Sequence, residues 1–391
     1  MVNYYLYPDD WAYKEDGSTP SVLDGTDGTV RVHTPKFYGK SGSNGNKRWV
    51  RISLVKLDDS WIEIPELLID AYRNTVDNTV SATPKAVSVV NTTEAFRGGG
   101  NRAQFDEYLT TELETKDAFR SDLGKPRTNV SRANMRTYAT NAGSELLCYE
   151  YYKWIFYWNY VIEYANFNSQ AAYNAELTSD GYRQGGLGPG VTDWSNSATS
   201  WSGYNGTYPL TPCGYCNDIG NFTGIKDLVI PECTATNGTD TVATKTFKVP
   251  RWRGFDNPFG DIWTNLDGVV IQRTAANEIS SVYTTTNKEE FTDVIGSKTI
   301  AGYEVAQDGY IKEFDLGETA EIIPSSCTGA SATTYICDYH SCNATSTELR
   351  TLLVGGHANT GGNAGLGCFY SYYGVGFADS AVGFRTLNRV S

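Results

Sequence analysis

The side chains best suited to recognising a ligand lie between Gly356 and Ala381, near the end of the chain. Tyrosine offers rigid, amphipathic contact area there, while asparagine, serine and glycine offer adaptable hydrogen bonding, a mixture typical of recognition loops. Short apolar strands near 352–354 and 382–387 frame this stretch, which predicts a variable surface on a fixed scaffold. The predicted contact residues are His357, Asn359, Asn363, Tyr370, Tyr372, Tyr373 and Asp379, with the tyrosines as anchors.

Residues for catalysis form no comparable set. The chain has three histidines, and none sits in the Gly-x-Ser-x-Gly context of a serine nucleophile. Its 45 acidic residues single out no pair for glycoside hydrolysis. Three consecutive glycines at 98–100 lack the Lys-Ser/Thr sequence of a phosphate-binding loop. We therefore expect a binding protein that is not an enzyme and uses no cofactor.

Charge and hydropathy argue against two classes of partner. A net charge of −13 provides no basic surface for nucleic acid. The longest apolar segment, 154–164, is interrupted by Asn159 and Glu163 and is too short to cross a bilayer. We expect neither nucleic-acid binding nor membrane insertion.

The eight cysteines leave metal binding, disulfides and free thiols open. No second Cys-x-x-Cys motif completes a zinc pattern, and His340 is the best additional candidate ligand. We therefore predict no metal site. The spacings compatible with zinc or with local disulfides are those of Cys213, Cys216 and Cys233, and of Cys337 and Cys342.

Alternating apolar residues predict a β-hairpin early in the chain. Its first strand runs through 30–38 and ends or re-forms at Pro35, because proline cannot donate a ladder hydrogen bond. A turn at 41–46 then leads to a second strand at 49–54.

Two helices are predicted, over residues 126–142 and 145–166. Thr128 or Asn129 can cap the first. The second carries apolar residues on two faces, so other elements must cover it on both sides. We therefore place it at the centre of the fold.

The block from Trp252 to Trp263 is predicted to supply core aromatics and tight turns. Leu266-Asp267-Gly268 is expected to turn before a following strand. Phe384-Arg385 is expected to act as an apolar plug beside a buried or paired guanidinium. Later strands are predicted near 350–354, 366–370 and 381–387.

Four sets of residues, in this order, resemble the C-type-lectin-like proteins of bacteriophage tail and head fibres. These proteins are akin to formylglycine-generating enzymes and to the variable proteins that phage retroelements diversify. The matching segments are Asp24-Gly25-Thr26-Asp27-Gly28 with Pro35-Lys36-Phe37-Tyr38, Ile162-Glu163-Tyr164-Ala165 with Asn168-Ser169-Gln170, Trp252-Arg253-Gly254 with Asn257-Pro258-Phe259-Gly260 and Trp263, and Gly355-Gly356 with Gly383-Phe384-Arg385.

The resemblance implies an α+β, C-type-lectin-like domain over residues 24–391, with paired N- and C-terminal strands, two helices and large irregular insertions at about 174–245 and 275–347. Residues 1–23 would form an attachment arm that contacts other virion proteins. The implied function is that of a virion fibre or adhesin that binds a host cell-surface glycan or protein. The chain would be made in the bacterial host cytoplasm and assembled into the virion.

Alternatives within the same family are a structural head fibre or capsid decoration and, less favoured, an enzyme. Formylglycine-generating relatives depend on a cysteine pair near the C-terminal frame, but only Cys368 lies between Gly356 and Gly383. The calcium loop of lectins has an order of residues that Asp256-Asn257-Pro258 does not reproduce, although Asn257 and Asp261 offer oxygen ligands.

A single head binds cell-surface ligands weakly, and fibres gain avidity by presenting several copies. We therefore predict a homo-oligomer, with a trimer as the favoured state, joined partly through residues 1–23. Multi-angle light scattering of the full-length chain should give three times the monomer mass. A monomer at micromolar concentration would contradict this prediction.

Overall fold

A computed structural model of the chain describes residues 21–45, 47–100, 121–173, 176–177, 183–184, 201, 208–235, 238–328, 336 and 338–390. Over these ranges the protein is mainly β-sheet with two principal helical segments, which agrees with the α+β prediction at this level. None of the described helices is both long and apolar enough to cross a membrane.

The described helices comprise α1, a composite central helix and four single turns of 3-10 helix. The central helix consists of two α-helical ends and a π-helical middle. In chain order the helices are α1 Arg132–Asn141, α2 Tyr149–Tyr151, the π-helix Tyr152–Trp158, α3 Asn159–Tyr164, and the 3-10 turns Gln170–Tyr173, Asn217–Ile219, Lys288–Glu290 and Gly361–Asn363.

The described strands are mostly short, and β16 is the longest. The first thirteen are β1 Arg31–Thr34, β2 Phe37–Asn44, β3 Lys47–Ser53, β4 Ile62–Ile64, β5 Leu67–Asp70, β6 Thr75–Asp77, β7 Lys85–Val87, β8 Glu145–Leu146, β9 Glu176–Leu177, β10 Arg183–Gln184, β11 Gly224–Ile230, β12 Cys233–Thr234 and β13 Thr241–Val242. The others are β14 Lys245–Trp252, β15 Phe255–Asp256, β16 Trp263–Arg273, β17 Ser280–Thr284, β18 Thr299–Glu304, β19 Gly309–Tyr310, β20 Glu313–Asp315, β21 Ile323–Ser326, β22 Tyr339–Cys342, β23 Arg350–Val354, β24 Phe369–Ser371, β25 Val382–Gly383 and β26 Thr386–Arg389.

The predicted hairpin is present as β2 and β3, which pair antiparallel. Pro35 divides the first predicted strand, and β1 joins a different sheet by pairing with β5. The proline ring fixes φ and removes an N–H, so the ladder breaks there and the chain changes sheets.

The terminal sheet has the order β1-β5-β26-β8, so the N- and C-terminal strands share one sheet. We expected 28–38 and 381–388 to pair or lie side by side, and β5 instead separates β1 from β26. The buried carboxylate of Asp70 in β5 ties these strands together. It accepts hydrogen bonds from Arg31 Nε (3.0 Å), from Asn74 Nδ2 (2.6 Å) and from the hydroxyl of Thr386.

Helix α1 begins later than predicted. Its N-cap is Ser131, whose hydroxyl accepts a hydrogen bond from the backbone N–H of Asn134, and the predicted caps Thr128 and Asn129 lie outside the helix. Asn129 has a φ of +56° and donates its N–H to the carbonyl of Asp379 at 2.8 Å. An N-cap needs an extended backbone, so the left-handed conformation of Asn129 places the helix start after it.

The central helix is buried around its circumference over its whole π-helical segment, as its two apolar faces predicted. Its one internal cation, Lys153, is fully buried between the carboxylates of Glu150 (2.7 Å) and Glu321 (2.6 Å). The indole of Trp158 donates to the carbonyl of Ala320 at 2.7 Å. The buried polar groups of Lys153 and Trp158 thus have partners, whereas the buried indole nitrogen of Trp154 has no hydrogen-bond partner among the described residues.

The large sheet has the order β18-β17-β16-β23-β24-β22-β19, with β25 pairing parallel to β16. The turn predicted at Leu266-Asp267-Gly268 is wrong, because β16 continues through it with a bulge between Leu266 and Ile271. Gly268 has a φ of +63°, and a Cβ there would lie 2.4 Å from the carbonyl oxygen of Thr285. Glycine marks a bulge within a strand here, not a chain reversal.

The smaller sheets have the orders β3-β2-β4 and β11-β14-β15, and the pairs β6-β7, β9-β10, β12-β13 and β20-β21 form two-stranded ribbons. In the predicted insertion at 275–347, strands β17, β18, β19 and β22 join the large sheet. Much of the 174–245 region lies outside the described residues, as do residues 1–20 of the predicted arm.

The Trp252–Trp263 block is core, as predicted, and Trp252, Phe259 and Trp263 are all buried. The C-terminal frame is also present, although β24 starts at Phe369 and not at 366. Just before β24, the backbone N–H of Gly367 donates to the buried carboxylate of Asp338 at 2.7 Å. Because this N–H is bonded to a side chain, it is not available for a ladder hydrogen bond, and the strand begins two residues later.

Arg385 connects the C-terminal frame to the rest of the core. Its fully buried guanidinium donates through Nη1 to the carbonyls of Asp70 (3.0 Å) and Ala71 (2.8 Å), and through Nη2 to those of Asp256 and Asn257. Burial is the main cause that lowers its pKa, to about 9. The paired guanidinium that the sequence predicted is therefore satisfied by backbone carbonyls from two segments.

Trp154 and Trp158 should be among the most important side chains for stability, since they are only 1% and 4% exposed. Replacing either with alanine should cost about 3–5 kcal/mol, because the cavity cannot close around a rigid helix. Urea denaturation measures the change. Ile162→Ala, on the same helix but 45% exposed, is the control and should stay within about 0.5 kcal/mol. Unchanged midpoints for both tryptophan variants would disprove the central placement.

Candidate functional site

Aromatic side chains from separate segments meet on one side of the large sheet and form what we call the aromatic patch. The patch receives side chains from β24 and the segment after it, from strand β16, from the loop after β23 and from residue 201. Its members are Trp201, His357, Trp263, Tyr370, Tyr372, Tyr373 and Phe377.

The rings of the aromatic patch form a continuous series of contacts. Trp263 lies 4.8 Å from Tyr370 between ring centroids, and Tyr370 lies 5.6 Å from Tyr373. Tyr373 stacks on Phe377 at 3.5 Å with an interplanar angle of 6°. Tyr372 touches both neighbouring tyrosines, at 6.1 Å from Tyr370 and 5.3 Å from Tyr373. Each such pair restrains its partner's rotamer and adds about 0.5–1.5 kcal/mol to simple burial.

Exposure increases from one end of the aromatic patch to the other. Trp263 is buried, Tyr370, Tyr373 and Phe377 are half-buried, and Tyr372 is 40% exposed. Phe377 shares the surface with Tyr373. The patch therefore has an anchored base and an outer face that a ligand can reach.

The backbone that carries the outer tyrosines is held by strand β23. Arg350 donates from Nη1 to the carbonyl of Tyr372 at 2.9 Å, and the N–H of Thr351 donates to the carbonyl of Tyr373 at 3.1 Å. The N–H of Val375 donates to the carbonyl of Leu349 at 3.2 Å. These contacts fix the chain after β24 although it has left the regular strand.

His357 lies between two indoles, with ring centroids 5.5 Å from Trp201 and 5.6 Å from Trp263. Its Nδ1 accepts a hydrogen bond from the backbone N–H of Asn359 at 3.1 Å. Burial lowers the pKa of His357 to about 4. The ring is therefore neutral at pH 7, and Nε2 carries the proton and remains the donor.

The other predicted contact residues lie in the loops around the aromatic patch. Asn359 is exposed, and Asn363 ends the 3-10 turn that follows it. Asp379 accepts from the backbone N–H of Ala381 at 2.8 Å and so shapes the turn before β25. The described contacts bring His357 together with the three tyrosines through Trp263, and they place Asp379 in a turn.

Sequence reasoning missed Trp201, Trp263 and Phe377 as members of the patch. Trp263 was assigned to the core alone, which is correct for its burial but incomplete for its neighbours. The alternation of side chains along a strand could have predicted part of this grouping. Tyr370 and Tyr372 are two residues apart, so they project from the same side of β24 and its extension.

The cysteine pattern at Cys213, Cys216 and Cys233 does not form a ligand cluster among the described residues. All described cysteines are free thiols. Cys213 Sγ lies 3.5 Å from the carbonyl of Arg73, and Cys216 Sγ lies 3.8 Å from that of Val249. Cys337 lies outside the described residues.

A cleft of about 700 Å³ lies between α1, β26 and the 3-10 turn at 288–290. Its main charged groups already have partners: Arg136 pairs with Asp267 and Asp293, and Arg389 pairs with Glu145. These charged groups are therefore already engaged within the protein and are less available to a ligand.

Comparison with known proteins yields similarity to solved structures alone. No protein-family model matches the chain, and no curated protein matches it. Among solved structures, the chain is similar to the Major Tropism Determinant U1 variant, with 13% sequence identity over 95% of this chain and 67% of that chain. The TM-score is 0.28, a value that carries no argument for a shared fold or function.

The lowered pKa of His357 makes stability depend on pH. The folded ring titrates at about 4 and the unfolded ring near 6.5, so the unfolded state binds more protons between these values. The stability that His357 contributes is complete above pH 6.5 and is lost as the pH falls towards 4. The difference in urea midpoint between wild type and His357→Gln should shrink over this window. A folded-state pKa near 6.5, measured by NMR on the ring protons, would contradict the burial.

Proposed function

We propose that the chain is a virion fibre protein that binds a receptor on the host cell surface through the aromatic patch, without catalysis. The proposed scaffold is a C-type-lectin-like domain. Support comes from the order of motifs in the sequence, from N- and C-terminal strands that share one sheet, and from an aromatic surface located between the framing motifs.

The observation that best supports this proposal is that the outer tyrosine rings lie on a backbone segment fixed by hydrogen bonds. Tyr372 and Tyr373 face outward from a segment that Arg350 and Thr351 hold by hydrogen bonds. A tyrosine ring loses little conformational entropy on binding, and a fixed backbone lowers that cost further. The free chain is thus already close to the conformation required for contact.

The chemistry of the aromatic patch favours a ligand with an apolar face and hydroxyl or amide groups at its edge. Tyrosine rings stack on the C–H face of a sugar or on an apolar protein surface, and their hydroxyls bond to polar groups at the rim. Asn359 is exposed beside the patch and can complete such polar contacts. A host glycan or surface protein fits these requirements.

Assembly of three chains into one fibre would give that fibre avidity for the cell surface. Residues 1–23 would attach the chain to other virion proteins and help to form the trimer. Three patches on one fibre would engage a cell surface together, and the linked sites would raise the effective affinity by orders of magnitude.

The double variant Tyr372→Ala/Tyr373→Ala should abolish binding of the chain to host cells, because truncating aromatic anchors typically costs more than about 2 kcal/mol each. Flow cytometry with labelled chain measures binding, and calorimetry checks that the fold persists. The control is Tyr303→Ala in β18, since Tyr303 is 47% exposed and Tyr372 is 40% exposed. The control should bind as wild type does.

Normal binding by the folded double variant would move the receptor site away from the aromatic patch. The Trp-rich loop at 193–210 would then be the next region to test. Loss of binding in the double variant and in Tyr303→Ala alike would indicate a broad surface effect and would also contradict the assignment.

A further inference from the structure

Metal-ligating side chains lie close together at the end of the large sheet formed by β22 and β19, next to β24. Strand β22 pairs in parallel with β24, with His340 opposite Phe369 and Cys342 opposite Ser371. His340 and Cys342 are two residues apart and are both buried. Asp308, just before β19, is exposed next to them. Ligand atoms of these three residues lie within 4.8 Å of one another.

We propose that Asp308, His340 and Cys342 form a binding site for a transition-metal ion, with zinc as the best match. Cys327 lies next to His340 but outside this group, and its thiol would move in as a fourth ligand. This assignment departs from the expectation, drawn from cysteine spacing, that the chain has no metal site. It does not depend on the proposed receptor binding.

The geometry around His340 supports the assignment. Its Nδ1 lies 3.5 Å from Cys327 Sγ. A sulfur and a nitrogen bound to one tetrahedral zinc, at about 2.3 and 2.0–2.1 Å from the ion, are themselves about 3.5 Å apart. The thiol and the ring nitrogen therefore already have the separation of two zinc ligands.

The other ring nitrogen of His340 is held as in a metal-bound histidine. Its Nε2 lies 3.0 Å from Glu304 Oε1, and that carboxylate also accepts a hydrogen bond from the hydroxyl of Ser371. Metal-ligating histidines usually donate their second N–H to a carboxylate, which fixes the ring and increases its basicity. The present partner of Nδ1 is the carbonyl of Gln307 at 2.8 Å, which an incoming ion would replace.

Asp308 is fixed over the same strand. Its Oδ1 accepts from the backbone N–H of Cys342 at 2.7 Å, and its Oδ2 accepts from the hydroxyl of Ser341 at 3.2 Å. Mixed sulfur, nitrogen and carboxylate donors suit zinc better than calcium or magnesium, which prefer oxygen alone. Since Asp308 is exposed, the site is open to solution on that side.

The site would also support the aromatic patch. Ser371 lies between Tyr370 and Tyr372, and its hydroxyl donates to the carboxylate that orients His340. An ion bound at His340 would therefore stabilise the strand that carries the tyrosines, and the melting temperature should rise with zinc concentration.

The test uses the full chain, stripped of metal with a chelator and then titrated with Zn²⁺ in competition with a chromophoric chelator. We expect one ion per chain. Titration with Co²⁺ should give the thiolate-to-cobalt charge-transfer band. Cys342→Ser and Cys327→Ser should each weaken this band, and the double variant should lose it. Cys233→Ser, which removes a buried cysteine in β12, should keep it unchanged.

Asp308→Asn removes one oxygen charge at an exposed position, so this variant should fold even if His340→Gln does not. It should weaken zinc binding at least about tenfold. The proposal is overturned if the wild-type chain binds no zinc in the competition assay. It is also overturned if Cys342→Ser and Asp308→Asn both bind zinc as tightly as wild type.

Discussion

The buried guanidinium of Arg385 is the contact on which the arrangement of the chain most depends. It joins the carbonyls at the end of β5 to those at the end of β15, and Arg385 itself lies between β25 and β26. Truncating it would leave buried carbonyls without a donor, at about 1–3 kcal/mol each. Phe156 on the central helix and Phe255 pack against the same group, each ring centroid 5.9 Å away. One side chain thereby fixes the terminal strands, the central helix and the Trp252–Trp263 block relative to one another.

Contacts with this core set the geometry of the aromatic patch. Strand β25, just before Arg385, pairs in parallel with β16 at Trp263, and the N–H of Trp263 donates to the carbonyl of Ala381 at 2.8 Å. Trp263 then supports Tyr370, and β23 holds the backbone of the outer tyrosines. Rigidity therefore extends from buried backbone contacts to exposed rings, while the residues that face solvent carry little of the folding energy. Such a division permits the outer face to vary without loss of the fold.

The sequence predicted local features well and long-range pairing poorly. Helical periodicity located the central helix, and the hairpin of β2 and β3 followed from alternation. The start of α1 was wrong because Asn129 has a left-handed backbone and bonds to Asp379, a contact 250 residues away in sequence that local propensity cannot report. Gly268 suggested a turn but forms a bulge, since both need a positive φ. The tyrosines were predicted as candidate contacts, whereas their tryptophan support depends on pairing between β16, β23 and β24.

Hydroxyl-radical footprinting of the chain on host-cell envelopes tests the central claim most directly, because it reports which side chains a receptor covers. The account predicts strong protection of Tyr372, Tyr373 and Phe377, with Tyr303 on β18 and Phe222, which is 60% exposed, reacting as in the free chain. Protection confined to residues outside the aromatic patch, with Tyr372 and Tyr373 still reactive, would contradict it.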